Sequence, residues 1–141
     1  MRKLLLSVDG SACSDRAVQY VIALACQGVK LDVHLMNVQI PIESAYLRRF
    51  VTQQMIDTYH EQEADAALKS ATSLLNAAKV PFRRVVEVGH AAETIARYSG
   101  DHGCDGIVMG TRGMGSLGNL VLGSVATRVI HLAEVPVTLV K

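Results

Sequence analysis

A chain of 141 residues, half of them hydrophobic and 19% charged, suffices for one domain with a single sizeable core and is too apolar to be disordered. The formal charge of +1 is dispersed and forms no basic stripe for nucleic acid, and without tryptophan the few aromatics offer no stacking platform for single strands. No apolar run approaches the roughly 20 residues that span a bilayer.

The N-terminal stretch MRKLLLSVDG has two basic residues and a short apolar run. Asp9 interrupts that run before it reaches the about 7–15 residues of a signal-peptide core. It reads as a first strand, and the expected compartment is the cytoplasm. Cys13, Cys26 and Cys104 are widely spaced with no CxxC, which fits reduced thiols and no disulfide framework. Cys13, near a helix start, reads as a small buried hydrophobe.

In chain order, the first strand is Arg2–Val8, whose continuous Leu4, Leu5 and Leu6 suit a strand covered on both faces. Asp9-Gly10-Ser11 follows, then a helix to about Gln27, N-capped by Ser11 or Ser14 and stopped by Gly28. The second strand is Leu31–Val38, ended by Pro41. The segment from Ile42 to Thr52 is mixed in signal and reads as a loop or loose turn. A long helix runs from there to about Ala78, with an apolar stripe through Ala64, Ala67, Leu68, Ala71, Leu74, Leu75 and Ala78. Its Glu61, Asp65 and Lys69 form a solvated face, with Asp65–Lys69 a favourable pair. The third strand is Phe82–Val88, then a helix over Ala91–Ser99 ended by Gly100 and Gly103. The fourth strand is Gly106–Met109. A glycine loop leads to a helix over Ser124–Leu132, expected to bury Val125, Val129 and Ile130. The last strand is Val135–Val140, with Pro136 at its start.

Strands alternating with helices predict an α/β fold with a mostly parallel sheet in one domain over residues 1–141. Right-handed crossovers make a doubly wound, five-stranded sheet of order 3-2-1-4-5 the natural solution. Ligands in such sheets bind beyond the C-terminal strand ends, where strand order reverses. There, Asp9-Gly10-Ser11 and the glycine loop would face each other across a crevice.

The glycine loop lies in DGIVMGTRGMGSLGNLVLGSVATRVI, residues 105–130. Strand, glycines, hydroxyl and helix N-terminus in that order suggest an anion site, above all for phosphate. Gly113–Gly118 matches GxGxxG literally, but the dinucleotide fingerprint belongs in the first βα unit and needs an acidic residue ending the next strand. Glu134 instead precedes the last strand. Gly118–Ser124 has P-loop spacing without the lysine that P-loop chemistry requires.

A longer frame fits: Gly110, two residues, Gly113, nine residues, Gly123, then Ser124. In this frame the chain resembles the ATP-binding branch of the universal stress protein family, whose signature is G-x2-G-x9-G followed by Ser or Thr. The likeness extends to the hydrophobic strand ending at Asp9, Val38 ending the second strand, the IVMG that runs through Met109 into the loop, and the closing VPVTLV. It implies a Rossmann-like fold, similar to the adenine nucleotide alpha hydrolases, and ATP, with Mg²⁺, as ligand.

On this resemblance Asp9 stands beside the ribose or base, and the backbone of Val38 lies against the adenine edge. Gly110 and Gly113 let the loop fold over ribose and triphosphate, and Arg112 adds charge to the phosphates. Gly123 admits backbone amides to phosphate. The amides of Ser124, Val125 and Ala126 open the helix as orphan donors. The Ser124 hydroxyl can donate to phosphate or ligate Mg²⁺. Taken alone, the loop also fits a structural turn with Ser124 as an ordinary cap, and Asp9 a strand-end cap. The five histidines show no metal-ligand spacing and read as surface or structural residues.

Three functions stay open. The leading one is a regulatory ATP-binding protein of the stress response. The others are a slow ATPase or phosphotransferase, and a dimerisation module binding AMP or no nucleotide. Val135–Val140, as a sheet edge, offers a pairing surface, and the resemblance likewise implies a homodimer there. A loop without the lysine looks built to hold ATP more than to cleave it.

Overall fold

The computed structural model describes residues 1–113 and 122–141. The two rejected glycine patterns, 113–118 and 118–124, therefore fall partly outside the described residues. The elements in chain order are β1 (Arg2–Ser7), α1 (Ala12–Cys26), β2 (Leu31–Gln39), α2 (Ala45–Arg48), α3 (Gln53–Ala77), β3 (Phe82–Val88), α4 (Ala91–Asp101), β4 (Gly106–Gly110), α5 (Ser124–Leu132) and β5 (Val137–Val140). The strands form one sheet in the order β3-β2-β1-β4-β5, parallel throughout, as the alternation predicts.

The leucine run of β1 shows why the sheet is doubly covered. Side chains alternate between faces along a strand. Leu4 and Leu6 pack with Val18 and Val21 of α1 and Leu68 and Leu75 of α3. Leu5 packs on the opposite face with Ile95 and Tyr98 of α4 and Val129 of α5. All three leucines are buried because helices lie on both sides.

Several details differ from expectation. Ser11 and not Ser14 caps α1, its Oγ accepting from the Ser14 amide at 3.1 Å. The mixed segment contains one helical turn, α2, capped by Ser44. Helix α4 runs through Gly100, which keeps helical backbone. The left-handed turn comes at Gly103, with φ of 62°. β5 begins at Val137, because Pro136 has no N–H to donate; its carbonyl accepts from Ile107 instead. Helix α5 buries Ala126 and Val129, while Val125 and Ile130 stay 37% and 44% exposed. Successive helical residues point about 100° apart, so a nine-residue helix lying on the sheet through the 126/129 pair turns its flanking positions outward. On α3, Glu61 and Asp65 both pair with Arg84 of β3, at 2.8 and 2.6 Å. These groups are well exposed, so the pairs add little stability.

Two histidines are structural. His34, on β2, is hydrogen-bonded through Nδ1 to the Tyr98 hydroxyl at 2.8 Å, and Tyr98 stacks on His102. Burial pushes the His34 pKa below its ordinary value, keeping the ring neutral. His60 meets the Ile40 carbonyl at 3.1 Å. Among the described residues no helix is long and apolar enough to cross a membrane.

Candidate functional site

A cavity of about 400 Å³ opens beyond the C-terminal ends of β1 and β4, where the strand order reverses. Its size lies in the range of about 300–1,000 Å³ typical of small-molecule sites. The end of β1 contributes Ser7, Val8 and Asp9; β2 contributes Asn37 and Val38; α4 contributes Ala91 and Ile95. Residues 109–113, the end of β4 and the start of the loop after it, complete the wall with Gly123 and the first turn of α5.

Of the residues singled out from sequence, Asp9, Val38, Met109, Gly110, Arg112, Gly113, Gly123, Ser124, Val125 and Ala126 all line this cavity. Gly10 and Ser11 do not. Gly10 turns the chain at φ 86°, with the Ala67 backbone 3.2 Å from where a Cβ would sit. The Ser11 amide donates to Asp9 Oδ1 at 2.9 Å.

The three signature glycines have packing causes of their own. At Gly110 a Cβ would meet Cys13 Sγ at 2.8 Å and the Cys13 backbone at 3.1 Å, so a side chain there would collide with the start of α1. At Gly113 a Cβ would run into Asp9 Oδ2. At Gly123 it would stand 3.3 Å from the Thr111 carbonyl. Gly123 has ordinary extended backbone, and its amide donates to that same carbonyl at 2.6 Å. The ends of the glycine loop are thus tied together, and the Gly123 amide is occupied by protein. The donors bordering the cavity belong to the next three residues, Ser124 to Ala126, whose amides have no intrahelical acceptor by helix geometry. Gly123 has no side chain to cap them.

Among the described residues, the charged ones in the lining are Asp9 and Arg112, one of each sign. Cys13 lies behind the wall, buried, with Sγ donating to the Val140 carbonyl at 3.2 Å. Burial pushes its thiol up, but hydrogen bonds with Arg112 backbone and Thr111, with the Arg16 charge, outweigh it and leave the pKa below the ordinary value.

Sequence reasoning missed Ser14, Asn37, Thr111 and the α4 wall. Asn37 carried a signal: it is a buried amide within the apolar run of β2, beside Val38. Ser14 gave none beyond being a second hydroxyl in a helix start.

Fold and cavity together define an α/β domain of the kind that holds small ligands where strand order reverses. The chain belongs to the universal stress protein family, whose model matches residues 1–141. Universal stress protein Slr1230 of Synechocystis is 29% identical over 137 residues, covering 96% of this chain and 41% of its own length. The chain therefore spans less than half of that relative. Universal stress protein MJ0531 of Methanocaldococcus jannaschii is 28% identical, with 99% of this chain and 82% of the relative covered. The solved structure of hypothetical protein MJ0577 superposes with a TM-score of 0.81 at 26% identity, covering 99% of this chain and 95% of that one. Two solved structures share the fold at lower identity. One is a universal stress protein from Archaeoglobus fulgidus in complex with dAMP (20% identity, TM-score 0.67, 100% and 98% covered). The other is a family protein from Arabidopsis thaliana with AMP bound (16%, 0.69, 100% and 92%).

Proposed function

We propose that this chain is a regulatory protein of the stress response that binds ATP, with Mg²⁺, in the cavity between β1 and β4. One observation carries the reading: Asp9, Val38 and the Gly110–Gly113–Gly123–Ser124 frame, distant in sequence, line a single cavity. Asp9 takes ribose or base hydroxyl and amino groups, and the Val38 backbone lies along the adenine. The first-turn amides of α5 and its dipole take phosphate oxygens. The Ser124 hydroxyl serves phosphate or Mg²⁺, and Arg112 adds positive charge. With no lysine among the described lining residues, the reading is retention of nucleotide and not turnover. Relatives complexed with AMP or dAMP support an adenine ligand and favour a second reading, a monophosphate in the same cavity.

The test is direct. Denaturing purified protein releases ATP or AMP identifiable by mass spectrometry, and calorimetry with Mg-ATP and with AMP ranks the two readings. No released nucleotide and no heat from either ligand overturns both. On the same proposal the protein is cytoplasmic and a homodimer paired through residues 135–140, whose β5 is an edge of the sheet. Light scattering then returns twice the 15.2 kDa chain mass, and a monomer mass refutes the pairing.

A further inference from the structure

At the end of β1 the chain must leave the sheet and still present Asp9 in one orientation. The Val8–Asp9 peptide is held on both sides. Its carbonyl, on Val8, accepts from Asn37 Nδ2 at 2.9 Å. Its amide, on Asp9, donates to Ser14 Oγ at 3.0 Å. The Ser14 hydroxyl in turn donates to Asp9 Oδ1 at 2.8 Å, and Oδ1 also accepts from the Ser11 amide. Gln39 Nε2 donates to Asn37 Oδ1 at 2.7 Å, fixing which way the Asn37 amide points.

Two donors thus hold Oδ1, and Oδ2 is turned toward Gly113 at the cavity wall. Asp9 itself is exposed, while Ser14 and Asn37 are 5% and 4% exposed. An exposed carboxylate on a loop ordinarily samples several rotamers; here Ser14 and the Ser11 amide hold the carboxylate, while Asn37 fixes the backbone carbonyl before it. Capping does not require this. Ser11 alone caps α1, and a buried serine hydroxyl is unfavourable unless it is hydrogen-bonded.

We propose that Ser14 and Asn37 are positioning residues that clamp the Val8–Asp9 corner, so that the Asp9 carboxylate is preset in one orientation at the cavity wall, where it meets a ligand hydroxyl or amino group. Such presetting removes the ordering cost from the binding step. Only the ligand's identity rests on the nucleotide reading; the clamp is a property of the free protein.

Two measurements separate them. In the free protein, hydrogen exchange at the Asp9 amide accelerates about tenfold or more in Ser14→Ala, with Leu5 and Leu6 amides unchanged as a check on the fold. Ser14→Cys, close in volume and a weak hydrogen-bonding partner, reports the same change if the alanine variant folds poorly. Unchanged Asp9 exchange in either folded variant refutes the clamp. For binding, Ser14→Ala weakens Mg-ATP about tenfold in the native background and less than about twofold in Asp9→Ala, because the serine acts through the aspartate. An equal loss in both backgrounds shows that Ser14 acts independently of Asp9 and overturns the positioning role. A wild-type protein that binds no nucleotide yet shows the exchange effect sinks the ligand assignment and leaves the clamp standing.

Discussion

Gly110→Val lowers stability by about 3 kcal/mol, roughly 10 °C in melting temperature, the largest single effect expected in the glycine frame. Gly110 ends β4, an interior strand between β1 and β5, and the start of α1 packs against it at Cys13. A Cβ at this position would be 2.8 Å from Cys13 Sγ and 3.1 Å from the Cys13 backbone carbon. The thiol can rotate, but the backbone cannot move without shifting α1, whose Ala17, Val18 and Val21 are in the core. Valine adds two further carbons to that collision. Cys13→Ala in the same chain restores only part of the loss, because it removes the sulfur and leaves the backbone contact. Thermal denaturation of the wild type and the two variants measures this. A Gly110→Val protein melting within about 2 °C of wild type would mean that α1 is free to lift away, and the packing account of Gly110 would fail.

Gly113→Ala is expected to do the reverse, weakening Mg-ATP by about 2 kcal/mol, roughly 30-fold in Kd, while the melting temperature stays near wild type. Gly113 is exposed, and the atom its Cβ would strike is Oδ2 of Asp9, the far end of a side chain. Accommodating the methyl is inexpensive for the fold: Asp9 rotates away, giving up its bonds from Ser14 and Ser11. The rotation removes the acceptor from the cavity wall. Calorimetric titration beside a melting curve distinguishes the two losses. If affinity is unchanged, Asp9 contributes nothing to the ligand; if stability falls with affinity, Gly113 is a structural glycine like Gly110. Two glycines three residues apart in one signature thus divide between stability and binding, according to which atom each faces.

Much of the architecture was legible in the chain. The leucine triplet at 4–6 announced a strand covered on both faces, and strand–helix alternation with glycine turns yielded the sheet order. The Gly110, Gly113, Gly123 and Ser124 spacing, with Asp9 and Val38 supplied by the family resemblance, picked out residues that the fold gathers around one cavity. Errors fell where the outcome depends on what an element packs against. Gly100 looked like a helix stop because of its backbone freedom, yet helical contacts through Tyr98 and Ser99 carry α4 past it. Val125 and Ile130 looked buried because they are apolar, but α5 lies on the sheet by Ala126 and Val129.

What the sequence by itself determined is periodicity and spacing: which stretches are strands or helices, how many layers cover the sheet, and which residues frame the loop. These follow from the local backbone, where a side chain's face is set by its position along a strand or helix. Only the tertiary structure decided why each glycine is needed. Gly110 faces α1, Gly113 faces the Asp9 carboxylate, and Gly123 faces the Thr111 carbonyl. It alone brought Ser14 and Asn37 to the Val8–Asp9 corner. Such contacts join residues far apart in the chain, and their geometry depends on the packing of whole elements, which no local pattern encodes.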